Sequence, residues 1–503
     1  MKKRVLCLFI LLAMLLSLLS ACGGDAAVTD GGDRTGDSWE EVDFGGQTVR
    51  VAISTNQCSE CSFPAADIYT RGPDEANTNE VTKEVRARNA QAESELGIHI
   101  EYTEVDLPYA GVLEDIRGIV QTAAKNSPDV YNNDMFGLAR AMINGLLWNV
   151  KDPGADVKSY FDFSADCWYG EFMKGCTFDQ NKYYTFSGEY FIDMIRMAWV
   201  IYVNHDIFNA SVGKMPLWCT DLDTFYDYVD SGFWDLDVMR DIVGRVHVDG
   251  GAFAVTECAD PVVGLAYNHG SDWIVSASSQ TTLYYQDKDD GYTPKVIESI
   301  DTFQRVANKY VELMNQAGAL YDGIALSSTL HFLHGNVLFA FSRLGEMESK
   351  DMRDFSAAKG LVPVPKWEDS EQEDYHTVVS DQVEVGCILN TAHAFSAASA
   401  LMQYLNENSS ATVHAYYEKG LKYKYNDDEN ARAMMDIVRE TTDSPFGMQI
   451  GALCESLYTG VGTLKGLKFL KENVNSCAST YASEKDAYNN CLNKMIEKFA
   501  SLK

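Results

Sequence analysis

Cys58-Ser-Glu-Cys61 has the spacing of a redox dithiol or of half a zinc site. A redox pair needs that motif at a helix N-terminus, where the thiolate is stabilised. Here it follows a strand-like run. A zinc site needs four ligands, and the next cysteines, Cys167 and Cys176, form no second C-x-x-C. Local thiols or a local disulfide fit the motif better. His331 and His334 stand i, i+3, a spacing at which two imidazoles can share a metal on one helix face. No glutamate follows the first histidine, so the metalloprotease pattern fails and a structural or surface role is expected. Asp287-Lys-Asp-Asp-Gly-Tyr292 has the acid density of a calcium loop. Its glycine, Gly291, sits one place early for such a loop. Asp290-Gly291 reads instead as a hairpin turn. Gly460-Val-Gly-Thr-Leu-Lys-Gly466 lacks both the dinucleotide spacing and a strand before it. The chain holds no G-x-S-x-G and no G-x-x-x-x-G-K-[ST]. No catalytic residue, metal or cofactor is assigned.

The elements that would position any site begin near Val42. Thr48 to Ser54 alternates apolar and polar, the period of a strand. From Asn79 to Leu96, Val81, Val85, Ala92 and Leu96 share one helical face, and Gly97 stops it. Ile98, Ile100 and Tyr102 alternate in a second strand. Leu113, Ile116, Val120 and Ala123 mark a second helix, and Ser127-Pro128 breaks the chain before Asp129-Val130-Tyr131. This β-α-β-α-β order predicts an α/β layer with a largely parallel sheet. In such sheets ligands sit beyond the carboxyl ends of the strands. Asn56 to Cys58 and Asn132 to Asp134 lie just past two of those ends.

The chain has 503 residues, 46% apolar and 12% aromatic. At about 100–200 residues per domain it should hold more than one, with a sizeable core. A disordered, collagenous or coiled-coil chain is excluded. Lys2, Lys3 and Arg4 precede an almost wholly apolar run from Val5 to Leu19, and Leu19-Ser20-Ala21-Cys22 follows. These are the parts of a secretory signal peptide. The cysteine ending resembles the lipobox of bacterial lipoproteins. That resemblance implies cleavage after residue 21 and a diacylglyceryl group on the Cys22 thiol. Two or more acyl chains anchor a protein stably. Residues 23–38 are rich in Gly, Asp and Thr and read as a flexible tether reaching about 20–25 Å. No later apolar run approaches the roughly 20 residues that span a bilayer. Without Lys2, Lys3 and Arg4, 38 basic residues face 73 acidic ones, a net of −35. That charge disfavours nucleic acid and anionic lipid as partners. Cys167 with Cys176, and Cys477 with Cys491, are close enough in sequence to pair, though spacing alone does not set the pairing.

Six stretches in order resemble the extracellular solute-binding proteins of family 1, the lipoproteins that feed ABC importers. RNAQAESELGIHIEY (88–102) is similar to that family's first helix and second strand. SPDVYNNDMFGLARAMINGLLWNV (127–150) is similar to its third strand and the turn after it. KYYTFSGEYFIDMIRMAWVIYVNHDIF (182–208) resembles the passage into the second lobe. LDTFYDYV (222–229), FLHGNVLFAFSRLGEM (332–347) and GLVPVPKW (360–367) resemble a helix start, a strand and the return crossing. The resemblance covers about residues 45–445 and implies a two-lobed periplasmic-binding-protein-like clamshell of type II. It places the signal peptide at 1–21 and the lipidated tether at 22–41. Lobe one would hold 42–187 and 366–420, and lobe two 191–360 and 421–503. Ser187-Gly188 and Pro363-Val-Pro365 are the most hinge-like punctuations.

The same resemblance puts Asn56, Asn133 and Asp134 at the cleft from lobe one. It puts Glu189, Tyr190 and Arg196 near the first crossing and Arg343 after the FAFS strand. Trp273 is a candidate stacking platform. Such a protein would capture a small solute, most often a carbohydrate, without covalent chemistry. It would act as a monomer, held on the extracytoplasmic face of the membrane by its lipid alone, and deliver the solute to ABC permease subunits. Other readings stay open: a clamshell sensor or adhesin, a binding protein for peptide, polyamine or phosphate ester, and a surface glycosidase.

Overall fold

Asn79 starts the first long helix in a reciprocal cap: its side chain accepts from the Thr82 N–H, and the Thr82 hydroxyl accepts from the Asn79 N–H. Gly97 ends that helix at φ 59°. A Cβ there would lie 2.0 Å from Asp43 Oδ1, so glycine is needed for space as well as conformation. The computed structural model describes residues 39–502 apart from 57, 59–60, 73–78, 250–260, 269, 322–326, 425–427 and 458–476.

The first part of the chain forms β1 (Gln47–Ser54), α1 (Glu80–Leu96), β2 (Ile98–Val105), α2 (Tyr109–Thr122), β3 (Val130–Asp134) and α3 (Met135–Ile143). The middle forms β4 (Trp199–Asn204), α4 (His205–Ser211), α5 (Leu222–Asp230), α6 (Leu236–Val246), β5 (Val263–Tyr267) and α7 (Ser271–Ser278). It continues with β6 (Tyr284–Asp287), β7 (Thr293–Val296), α8 (Asp301–Asn315), β8 (Ala319–Tyr321), α9 (Ser327–Leu333), β9 (Val337–Arg343) and β10 (Lys359–Pro363). The last part holds β11 (Glu384–Ile388), α10 (Phe395–Glu407), α11 (Glu429–Glu440), α12 (Phe446–Leu457) and α13 (Cys477–Ala500).

Two sheets define two lobes. The first has the order β11-β3-β1-β2, with β1 parallel to both β2 and β3, as the alternating pattern predicts. Its edge strand β11 comes from far along the chain and runs antiparallel to β3. The second sheet has the order β10-β4-β9-β5-β8. One core, around Val49, Val51, Ile53, Leu96 and Leu401, fills the first lobe. A larger one, around Tyr202, Trp234, Phe339 and Phe341, fills the second and runs through Met135 and Tyr184 into the junction. The residues 287–292 make the expected hairpin turn between β6 and β7, with Gly291 at φ 62°.

The two crossing segments lie side by side: Phe186 pairs with Gly386 and Ala198 with Val379, both antiparallel. The return differs from the expectation at Pro363-Val-Pro365. Pro363 is the last residue of β10, paired with Val200. Residues up to Thr377 stay on the second lobe. Lys366 bridges Asp235, Trp234 Nε1 donates to the Pro363 carbonyl, and the Tyr375 hydroxyl donates to the Val229 carbonyl. The chain passes to the first sheet only between Val378 and Glu384. The prolines mark the end of an edge strand, where a missing N–H is tolerated, and not the crossing. Gly188 does sit at the outward crossing, but for room: a Cβ would lie 2.4 Å from Asn406 Oδ1 and from the Cys167 carbonyl.

Cys58 is bonded to Cys61, and Cys454 to Cys491, which joins α12 to α13. Cys167, Cys176 and Cys477 are buried and in no disulfide, so neither of the pairings suggested by sequence proximity forms.

Candidate functional site

A cavity of about 250 Å³ lies at the junction of the lobes. Its first wall is the helical turn Gly170–Gly175 with Tyr169 before it. Its floor is the outward crossing, where the short helix Asp193–Arg196 points Met194 and Ile195 to the cavity, joined by Ala198. Leu344, just past β9, is held there by its N–H donating to the Ala198 carbonyl at 2.8 Å. The last turn of α11 closes the space with Val438 and Arg439, and Thr442 follows.

Apolar walls thus meet a few polar groups, the usual composition of a small-molecule site. The Tyr169 hydroxyl is buried and has no hydrogen-bond partner among the described residues. Burial pushes its pKa well up, against the pull of the Arg439 charge. Glu189, beside the cavity, is raised by burial and held back by the same Arg439. Arg439 itself lies over the Tyr417 ring at 4.8 Å. Among the described residues it makes no ion pair. Glu171 is already engaged: Lys174 Nζ lies 2.7 Å from one oxygen and the Tyr292 hydroxyl 3.0 Å from the other.

Behind the crossing the lobes meet in a buried ionic cluster. Arg196 is fully buried, 2.9 Å from both Asp193 Oδ1 and Glu348 Oε1, and donates to the Pro64 carbonyl. Glu348 also accepts from the hydroxyls of Tyr69 and Tyr416. Ser62 N–H donates to Glu346 at 3.2 Å. The disulfide-closed loop after β1 therefore docks on the second lobe. Nearby, at the carboxyl end of β3 and the start of β11, buried polar atoms have no hydrogen-bond partner among the described residues: both amide atoms of Asn132, Asn133 Nδ2, Asp134 Oδ2 and both carboxyl oxygens of Glu384. Burial pushes the Asp134 carboxyl up to about 7 and raises Glu384 well above the ordinary range.

None of the residues singled out from sequence lines the 250 Å³ cavity, though several flank it. Arg196 follows Ile195 but turns into the ionic cluster. Arg343 precedes Leu344 and lies 4.6 Å over the Trp199 ring. Trp273 is half-buried on α7 and meets Trp199 edge-on at 6.1 Å, so Arg343 and Trp273 share one aromatic neighbour. Asn133 and Asp134 sit together: Asn133 Oδ1 accepts from the Asp134 N–H, and Asp134 caps α3 through the Gly137 N–H. Tyr190 is wholly buried beneath the Arg88 guanidinium, 4.7 Å from its centroid. Asn56 is half-buried past β1, its N–H donating to Ser54 Oγ. Cys22 and the Gly460–Gly466 stretch fall outside the described residues. Tyr169 and Arg439 were not legible. Tyr169 sits in a segment without periodicity, and Arg439 lies on the polar face of an amphipathic helix, where charge ordinarily means solvent.

Among the described residues no group of three or more His, Cys, Asp or Glu could hold a metal ion. The His331 and His334 rings meet edge-on at 5.8 Å. No described helix is long and apolar enough to cross a membrane.

No family model matches the sequence, and no curated protein matches it. Solved structures do. The cyclic alpha-maltosyl-1,6-maltose binding protein of Arthrobacter globiformis is similar over 90% of this chain and 99% of its own, at 11% identity and TM-score 0.51. The GacH receptor of Streptomyces glaucescens is similar over 91% and 100%, at 12% identity and TM-score 0.49. An ABC transporter solute binding protein of Thermotoga lettingae is similar over 90% and 100%, at 12% identity and TM-score 0.48. The chain shares the two-lobed α/β fold of the Arthrobacter protein.

Proposed function

We propose that this protein is the substrate-binding component of an ABC importer, a lipoprotein anchored through Cys22 on the extracytoplasmic face. It captures a sugar or oligosaccharide between its lobes and delivers it to a membrane permease. The observation that carries this reading is the junction cavity, walled by both lobes and floored by the segment that joins them. A solute there touches both lobes only when they are together. Its differential affinity for that state shifts the population toward closure. The closed form then offers both lobe surfaces to the permease. The two-lobed fold is shared with a protein whose name gives it a maltose-type ligand, and the leader supplies the route to the membrane. The reading assigns no covalent step to any residue.

Thermal unfolding of the protein with a panel of mono- and oligosaccharides tests it, with peptides, spermidine and phosphate esters as controls. A ligand at 100 times its Kd should add about 2.7 kcal/mol of stability. Stabilisation by sugars, recovered unaltered, supports the proposal. Stabilisation by a control alone keeps a binding protein and sinks the sugar. Recovery of cleaved sugar makes it a glycosidase. No shift with any compound, despite a cooperative melt, moves the reading to a sensor or adhesin.

A further inference from the structure

We propose that residues 61–70 form a strap by which the first lobe latches onto the second, and that the Cys58–Cys61 disulfide is a redox switch for that strap. Reducing the disulfide loosens the strap and lets the lobes part. The consequence for solute capture rests on the binding reading above; the latch itself does not.

The strap is fixed to the first lobe at both ends. At one end Cys61 is bonded to Cys58, just past β1. At the other, α1 holds the short helix Asp67–Thr70: the Thr70 carbonyl accepts from Asn89 Nδ2 at 2.9 Å and from Arg88 Nη2 at 3.1 Å. Between these ends the contacts go to the second lobe and to the outward crossing. Ser62 N–H donates to Glu346, Arg196 donates to the Pro64 carbonyl, and the Tyr69 hydroxyl donates to Glu348 at 2.6 Å. The Phe63 ring lies against the Arg196 guanidinium, 4.6 Å from ring centroid to carbon. It also fits against Gly345, where a Cβ would come within 3.0 Å of the ring. Cys61 Sγ lies 3.8 Å from Met197 Sδ at the crossing. Glu346 and Glu348 follow β9, and both are buried. The lobes cannot part without giving up the bonds to these two carboxylates.

Access selects this disulfide. Thiol–disulfide exchange needs an attacking thiolate to reach a sulfur. Of the two disulfides among the described residues, Cys454–Cys491 is buried between α12 and α13, whereas Cys58 and Cys61 are half-buried. The described cysteines in no disulfide are all buried. A small dithiol supplies both electrons. One of its thiolates attacks one sulfur of the pair, the S–S bond breaks, and the other cysteine leaves as a thiolate that takes up a proton. The second thiolate of the reductant then displaces the first cysteine, which is protonated in turn. The products are two protein thiols and the reductant's own disulfide. The ring from Cys58 to Cys61 is then open chain, and docking Ser62 to Pro64 must order it as well. By the loop-closure relation, a ring of that length changes the docked population on the order of tenfold.

Hydrogen exchange and small-angle scattering of the full chain, without solute, test this before and after dithiothreitol. Alkylation and peptide mapping should find Cys58 and Cys61 labelled while Cys454 and Cys491 stay bonded. Exchange at the Ser62 amide should then quicken on the order of tenfold. The β1–β2 ladder should not change, and the radius of gyration should rise. Cys58→Ser with Cys61→Ser should reproduce both changes without reductant. If that variant does not fold, the parent, folded before reduction, still gives the answer. Tyr69→Phe with Tyr416→Phe takes both hydroxyls from Glu348 and should raise the radius with the disulfide intact. Unchanged exchange at Ser62 after confirmed reduction overturns the switch. Equal quickening over both sheets is a general loss of stability and overturns it too. Quicker exchange at an unchanged radius separates the strap from lobe motion and overturns the latch, as does an unchanged radius in the Tyr pair. Reduction of Cys454–Cys491 alongside overturns the selectivity. None of these readouts uses a solute, so their failure leaves the importer reading standing, and a failure of every sugar to stabilise the protein leaves the latch standing.

Discussion

Arg196 sits in a fully buried position with two carboxylates, and removing it would leave both without their cation. Breaking such a buried pair typically costs about 3–5 kcal/mol. Arg196→Met should lower stability by that amount in urea unfolding. A loss below about 1 kcal/mol would show that Asp193 and Glu348 find other partners. Glu384 is the opposite case, a buried acid whose carboxylate makes no hydrogen bond among the described residues. Its folded-state pKa lies well above the ordinary 4.5, because of burial first and the nearby Asp193 and Asp67 charges next. Below pH 4.5 both folded and unfolded forms are protonated and nothing is lost. As pH climbs past 4.5, the unfolded chain releases the proton while the folded one holds it, so stability falls. Glu384→Gln removes that loss. The variant should melt higher than the parent at pH 8, by on the order of 1–2 °C, and no higher at pH 4. An equal difference at both pH values would refute the proton linkage. The sequence showed that Arg196 and Arg343 were charged residues in largely apolar segments. It did not show which way each side chain turned, because one residue of helical rotation decides between cavity and cluster.

Helices and strands with a clear period were legible: the strands at 47–54 and 98–105, the helix at 80–96 with its Asn79 and Gly97 ends, and the Asp290-Gly291 turn. Each of these is specified locally. Asn79→Ala should accordingly cost about 1 kcal/mol through loss of the cap alone, read from the shift of a urea midpoint at unchanged slope. What local pattern did not specify was pairing at a distance. The edge strand β11 joins a sheet whose other strands end some 250 residues earlier. Nothing in EVGCI distinguishes an edge of one lobe from a core strand of the other. The disulfides show the same limit. Cys491 bonds Cys454 across 37 residues and not the nearer Cys477, because α12 and α13 pack together at that point. Closing a loop of that length stabilises by about 3–4 kcal/mol. The double variant Cys454→Ser with Cys491→Ser should lose that much in denaturant unfolding without reductant. An unchanged midpoint would mean that the two helices hold each other unaided.

At the scale of the whole molecule, the lobes are tied at more places than the two crossings. Gln286 of the β6–β7 hairpin donates to the carbonyls of Lys174 and Thr177 in the first lobe, each at 2.8 Å. Phe499 of α13 meets Phe178 and Tyr184 there, both at 5.3 Å, while Lys485 of the same helix bonds the Glu298 carbonyl in the second lobe. Ligand closure should therefore slow hydrogen exchange at amides bonded across the crossings. Trp199, bonded to the Val378 carbonyl, and Ser380, bonded to that of Met197, are the ones to follow. The β1–β2 ladder should not change. Uniform slowing over both sheets would instead indicate global tightening. The paired crossings set the manner of that motion. With Phe186 against Gly386 and Ala198 against Val379, the connection is a narrow antiparallel ribbon. Two-stranded ribbons span the widest range of twist. The lobes are then coupled as by a torsion bar, and they part by wringing about its length. Arg439 and Tyr169 would slide past each other sideways, and the solute would enter through a slot that widens from one end.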